Sequence, residues 1–168
     1  LANDLVFSAD DGVNGRELWR TDGTAANTAM VIDIQPGSGS GLFINSNGAQ
    51  SSGANGNVVI FEGWDGSSPS CAWVSDGTAA GTRKLNNPGT GNPVLVRRGS
   101  GAPAPFRALD NNLGFRVVFA GEEDGYGKEP WVTDGTDAGT SMLADLNAFP
   151  AAGSGTRGSD PGPMSRIG

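Results

Sequence analysis

A tryptophan leading into an Asp-Gly-Thr turn occurs three times in this chain, in the same setting each time. Glu17-Leu18-Trp19-Arg20-Thr21-Asp22-Gly23-Thr24 returns as Cys71-Ala72-Trp73-Val74-Ser75-Asp76-Gly77-Thr78, and again as Glu129-Pro130-Trp131-Val132-Thr133-Asp134-Gly135-Thr136. The tryptophans lie 54 and then 58 residues apart, and Phe7, Phe61 and Phe119 each stand 12 residues upstream of one. A period of this length, filled with short apolar runs and turn residues, specifies stacked β units.

Each unit reads as a series of short strands. The runs around the phenylalanines, Asp4 to Ala9, Asn57 to Glu62 and Arg116 to Gly121, are rich in β-branched and aromatic residues. A polar loop follows each run, and the tryptophan strand returns to complete a hairpin. That strand stops at Asp-Gly-Thr, where aspartate bonds nearby backbone amides and glycine accepts positive φ. Thr28, Thr82 and Thr140 come four residues after the threonine of each turn, and short third strands follow them. Beyond Gly/Ser/Pro-rich connectors, Leu42 to Ile44, Val94 to Val96 and Met164 to Ile167 are expected as fourth strands. No apolar period of 3.6 residues runs far enough for a helix.

The expected fold is therefore all-β: three tandem four-stranded repeats, β-propeller-like, as a partial or three-bladed ring. The repeats fall at 1–50, 51–108 and 109–168 of one domain. Three blades is fewer than the usual 4–8 of propellers, so four arrangements are open: pairing with another copy, docking on another protein, an open stack, or a piece of a longer array.

Composition bears on location and partners. Only 17% of residues are charged, and the net charge is −7. Nucleic acid is a poor partner for such a chain, because phosphates require clustered Lys and Arg. Glycine (28) and proline (10) are abundant, yet the glycines recur beside apolar runs, which argues against disorder. The single cysteine, Cys71, excludes an internal disulfide and reads as a small buried hydrophobe. No run approaches the ~18 apolar residues of a membrane span. The chain opens on Leu1 and has no signal peptide, which fits a mature or trimmed exported form.

The first copy resembles, in full, the repeat of bacterial surface and secreted proteins named for the motif ELWxxDGT. Ala9 to Arg16 upstream and Pro36-Gly37-Ser38 downstream are similar to that family too. The third copy departs by Pro130, and the middle copy keeps only Trp73 and Asp76-Gly77-Thr78. The resemblance implies a propeller-like fold and an extracytoplasmic location, periplasmic, cell-surface or secreted. It implies little about activity.

Carboxylates are the main chemical candidates. Asp10, Asp11, Asn14 and Glu17 crowd the first hairpin, and Glu122, Glu123, Asp124 and Glu129 the third. Calcium takes 6–8 oxygen ligands from such groups, so a weak calcium site is one reading of each cluster. The plainer reading is a solvated loop whose Glu17 or Glu129 pairs with Arg or caps backbone amides. Asp22, Asp76 and Asp134 are explained by a turn needed once per repeat, and Trp19, Trp73 and Trp131 by packing between units. Trp64 breaks the repeat pattern and, with Asp65, is a candidate contact for carbohydrate or a protein partner.

Catalysis is hard to build here. The chain has no histidine, which removes His-based triads and most zinc sites. Paired carboxylates leave glycoside hydrolysis as a remote alternative. The favoured reading is a non-catalytic structural or protein-interaction module without a cofactor, an accessory piece of a larger assembly. A lectin-like or calcium-dependent adhesion module comes second.

Overall fold

The computed structural model describes residues 4–42, 58–67, 69–96, 106–111, 114–123, 127–148, 158–162 and 164. They form three antiparallel sheets in chain order. The first holds β1 (Leu5–Asp10), β2 (Arg16–Thr21) and β3 (Ala29–Ile32). The second holds β4 (Val59–Gly63), β5 (Cys71–Ser75) and β6 (Arg83–Lys84). The third holds β7 (Arg107–Asn111), β8 (Gly114–Glu123), β9 (Gly127–Thr133) and β10 (Ser141–Met142), neighbours in sequence pairing throughout. The described residues contain no α-helix, only a 3-10 turn at Ala25–Asn27.

The register is the same in all three. Phe7 pairs with Trp19, Phe61 with Trp73 and Phe119 with Trp131. Because side chains alternate between faces of a strand, this register puts phenylalanine and tryptophan on one face of every sheet. We call it the leading face, since it looks toward the preceding repeat. The intervening residues make the trailing face.

Two apolar clusters show how the faces meet. In one, Leu18, Ile34 and Leu42 of the first repeat cover Phe61 and Trp73 of the second. In the other, Ile60, Val74 and Leu85 of the second repeat cover Val117, Phe119 and Trp131 of the third. Trp131 is 1% exposed and Trp73 7%. Removing an aromatic side chain from such a site costs about 3–5 kcal/mol, so these rows supply much of the cohesion between sheets.

The fourth strand differs from its expected place. Only the third sheet has four strands among the described residues, and its extra strand, β7, precedes the phenylalanine strand. Leu42 lies outside any strand, as does Met164, while Phe43, Ile44 and Ile167 fall outside the described residues. Val94 to Val96 act as a strap between sheets. Val94 N–H donates to Leu85 and its carbonyl accepts from Ala72, while Leu95 exchanges both bonds with Glu122 of the next sheet (3.1 and 2.7 Å). A segment whose amides are shared between two sheets cannot also extend one ladder. The described residues close no barrel or ring.

Candidate functional site

The recurring Asp-Gly-Thr turn is one unit of hydrogen bonds built three times. Asp22 Oδ1 accepts the backbone N–H of Thr24 at 2.9 Å and its hydroxyl at 2.7 Å. Asp76 and Asp134 do the same for Thr78 and Thr136 at 2.9 and 2.6 Å. These bonds favour the ionised carboxylate. At Asp22 and Asp76 the threonine hydroxyl is the largest influence, and both carboxyls lie below the ordinary range. At Asp134 burial works against the bonds, yet the carboxyl is still lowered. A hydroxyl pair closes the base of each turn at 2.7 Å: Thr21 with Thr28, Ser75 with Thr82, and Thr133 with Thr140. The sequence marks this pair only by its constant spacing of seven residues, with a hydroxyl at both ends.

The first acidic loop separates into two environments. Asp10 and Asp11 are exposed and accept from the loop's own backbone: Asp10 from Gly12 at 2.8 Å, Asp11 from Val13 at 2.9 Å and Asn14 at 2.8 Å. The Asn14 amide also donates to Asp11 at 2.8 Å. The Asn14 N–H, foremost among these donors, holds the Asp11 carboxyl below its usual value. Glu17 is fully buried. It accepts the N–H of Ile34 at 2.9 Å, Gly41 at 2.7 Å and Gln35 at 3.4 Å. Burial raises its carboxyl above 4.5 against these donors.

The third repeat uses the same device. Glu129 is fully buried and accepts from Leu146 N–H at 3.1 Å, Ser159 N–H at 2.8 Å and the Ser159 hydroxyl at 2.6 Å. Leu146 stands 17 residues after Glu129, as Ile34 does after Glu17. Glu123 accepts from Asn87 at 2.7 Å and Thr90 at 2.9 Å, both in the second repeat. Glu122 is tied through its backbone to Leu95. Asp124 lies outside the described residues.

The middle repeat replaces the device. Cys71 occupies the glutamate position and Pro88 the position of Ile34, so acceptor and donor are lost together. The Cys71 thiol donates to the Pro69 carbonyl at 3.2 Å. The strap at Leu95, bridged to Cys71 itself, takes over the closure.

Trp64 is half-buried, and its backbone N–H donates to the Gly41 carbonyl at 2.9 Å. This bond joins repeats one and two as Glu122 to Leu95 joins two and three. Asp65 meets the Lys84 ammonium at 2.6 Å and accepts from the Ser67 hydroxyl at 2.8 Å. Burial pushes its carboxyl up, but Lys84 and Ser67 together bring it down to about 2. Lys84 also lies 6.0 Å from the Trp73 ring centre. Trp64 thus sits at the joint between the first two sheets, while Asp65 is tied within the second repeat.

Among the described residues no group of three or more His, Cys, Asp or Glu side chains is placed to hold a metal ion, and no helix is long and apolar enough to cross a membrane. No protein-family model, curated protein or solved structure matches this chain.

Proposed function

We propose that this chain is a non-catalytic structural and protein-interaction module, an accessory piece of a larger extracytoplasmic assembly. The observation that carries the reading is the use to which Glu17 and Glu129 are put. Both carboxylates point inward and hold backbone N–H groups, which supports a scaffolding role over a reactive one. The likeness of Glu17 to Thr24 to the ELWxxDGT repeat supports the location and a propeller-like arrangement. Isolation of the tagged chain from its native source, with mass spectrometry of stoichiometric companions, tests it. A monodisperse monomer without a companion would overturn it.

A lectin-like or calcium-dependent adhesion module is the second reading, and the exposed Asp10 to Val13 stretch of the first loop motivates it. A glycan array with and without calcium tests it, and a blank array in both conditions ends it. Glycoside hydrolysis requires two carboxyl groups roughly 5–9.5 Å apart across a cleft. Screening chromogenic glycosides tests it, and absence of turnover removes it.

A further inference from the structure

The leading face is covered in repeats two and three and uncovered in repeat one. Val117, Phe119, Trp131 and Thr133 are each at most 1% exposed. Their equivalents Leu5, Phe7, Trp19 and Thr21 are not buried, and Leu5 is 70% exposed. The Asp-Gly-Thr turn follows the same rule. Gly135 is buried, with Val58, Val74 and Ile60 of the preceding repeat within 4 Å of its side-chain position. A side chain at Gly23 would meet nothing.

The trailing face is uncovered at the other end. Leu85 of repeat two is fully buried beneath repeat three, whereas its equivalent Leu143 is 54% exposed. Val132, equivalent to the buried Val74, is only half-buried. The chain therefore presents two apolar faces whose equivalents bind each other twice within the same molecule.

We infer that the leading face of repeat one receives the trailing face of repeat three from a second copy of this chain. The contact continues an interface built at both internal junctions, and it needs no partner chemistry beyond what the repeat already contains. One polar position transfers directly: where repeat two sends Arg83 to Asp137 of repeat three, the outer faces carry Ser141 and Ala25, which leaves no charge unpaired there. Where Asn87 meets Glu123, the outer faces carry Asp145 and Asp11, so this edge of the contact is repulsive and the association should strengthen with added salt. Such a contact is heterologous, and two copies joined at both ends make a closed ring of six sheets, within the usual 4–8 of propellers. This inference rests on the interaction-module reading and names the partner and the surfaces.

Sedimentation velocity of the 168-residue chain over a range of concentrations tests it. The expected result is a species of twice the 17.0 kDa chain mass that grows with concentration. Leu5→Arg and Leu143→Arg each place a charge on one exposed face and should raise the dimer dissociation constant about tenfold or more. Circular dichroism and melting temperature matching the parent establish that both variants fold. Mixing the two variants is diagnostic, because each retains the face the other lacks: an equimolar mixture should recover a dimer held by one contact. A chain that stays monomeric at every concentration overturns the inference. So does a dimer indifferent to both substitutions, or a mixture that fails to associate. If the chain is monomeric yet carries a stoichiometric companion from its source, self-pairing falls and the interaction-module reading stands.

Discussion

The Glu17 carboxylate holds the backbone N–H of Gly41 at 2.7 Å, across 24 residues of sequence. One buried acid thereby folds the connector after β3 back over the hairpin and brings the Gly41 carbonyl to Trp64 of the next sheet. Each motif glutamate is a staple, and its surroundings decide whether the chain can do without it.

Glu17→Ala leaves three backbone N–H groups without their acceptor. An unmet buried donor costs about 1–3 kcal/mol, and partial hydration will recover some of that. We expect a loss of about 3 kcal/mol for Glu17→Ala, a similar loss for Glu129→Ala, and about 1 kcal/mol for Glu17→Gln, which keeps an acceptor oxygen. Urea unfolding measures all three, and a Glu17→Ala variant within 0.5 kcal/mol of the parent by that measurement would refute the staple, since the scatter of such values is about that size.

Restoring the motif in the middle repeat should harm it. Cys71→Glu would bury a carboxylate where Pro88 has no N–H and where the Leu95 N–H is already given to Glu122. Burying an acid without partners costs several kcal/mol. We expect Cys71→Glu to lower stability by about 3 kcal/mol or more, and Cys71→Ala by about 1 kcal/mol for its lost packing and thiol contact. Thermal melts of both variants check this, and a neutral Cys71→Glu would contradict it.

The Asp65–Lys84 pair predicts a response to acid. The Asp65 carboxyl is lowered in the folded chain from 3.8 to about 2, so its stabilising contribution is complete above about pH 4 and fades as pH falls toward 2. Solvent reaches both side chains, 24% and 25% exposed, and we discount the effect to about 1 kcal/mol. Asp65→Asn should match the parent at pH 2 and fall below it at pH 5. Equal stability at both pH values would dismiss the pair.

Glu17 predicts the opposite slope. Burial raises its carboxyl above 4.5, so its contribution is complete below that pH and declines as pH rises through the raised value. Glu17→Gln has no carboxyl to ionise. Its deficit relative to the parent should therefore narrow from pH 4 to pH 7 in denaturation curves, and a widening deficit would show that the ionised form is the favoured one.

Equivalent glycines should differ with their cover. Gly23 and Gly135 have φ of +95° and +90°, so alanine strains both backbones by about 1 kcal/mol. At Gly135 the new methyl also meets Val58 at 3.4 Å and Val74 at 3.5 Å. These are ordinary van der Waals separations, so the methyl gains apolar contact there, and Gly135→Ala should cost no more than Gly23→Ala in dilute solution. Urea unfolding of both variants checks this, and a clearly larger loss at Gly135 would show that its cover is too tight for a methyl.

The phase of the repeat made much of the fold legible. Phe7, Phe61 and Phe119 at a constant distance from Trp19, Trp73 and Trp131 led to hairpins in one register, and the pairings follow that register. Asp-Gly-Thr identified the turns because the chemistry is local: acceptor and donor lie two residues apart. The role of Glu17 was harder to read, because its donors are 17 and 24 residues away in a connector without pattern. Trp64 and Asp65 stood out for breaking the repeat, but only the fold places their backbone and ion-pair partners at Gly41 and Lys84.

The amino-acid sequence alone determined the all-β class, the number of units, their turns and the alternation of each strand, since these arise from short-range sterics and hydrogen bonds repeated at fixed spacing. Tertiary structure decided which face each unit shows its neighbour, that Val94 to Val96 serve two sheets as a strap, and that buried glutamates fasten the connectors. Those outcomes depend on groups tens of residues apart meeting in space, where one amide can satisfy only one acceptor well and an apolar row is stable only when another lies over it.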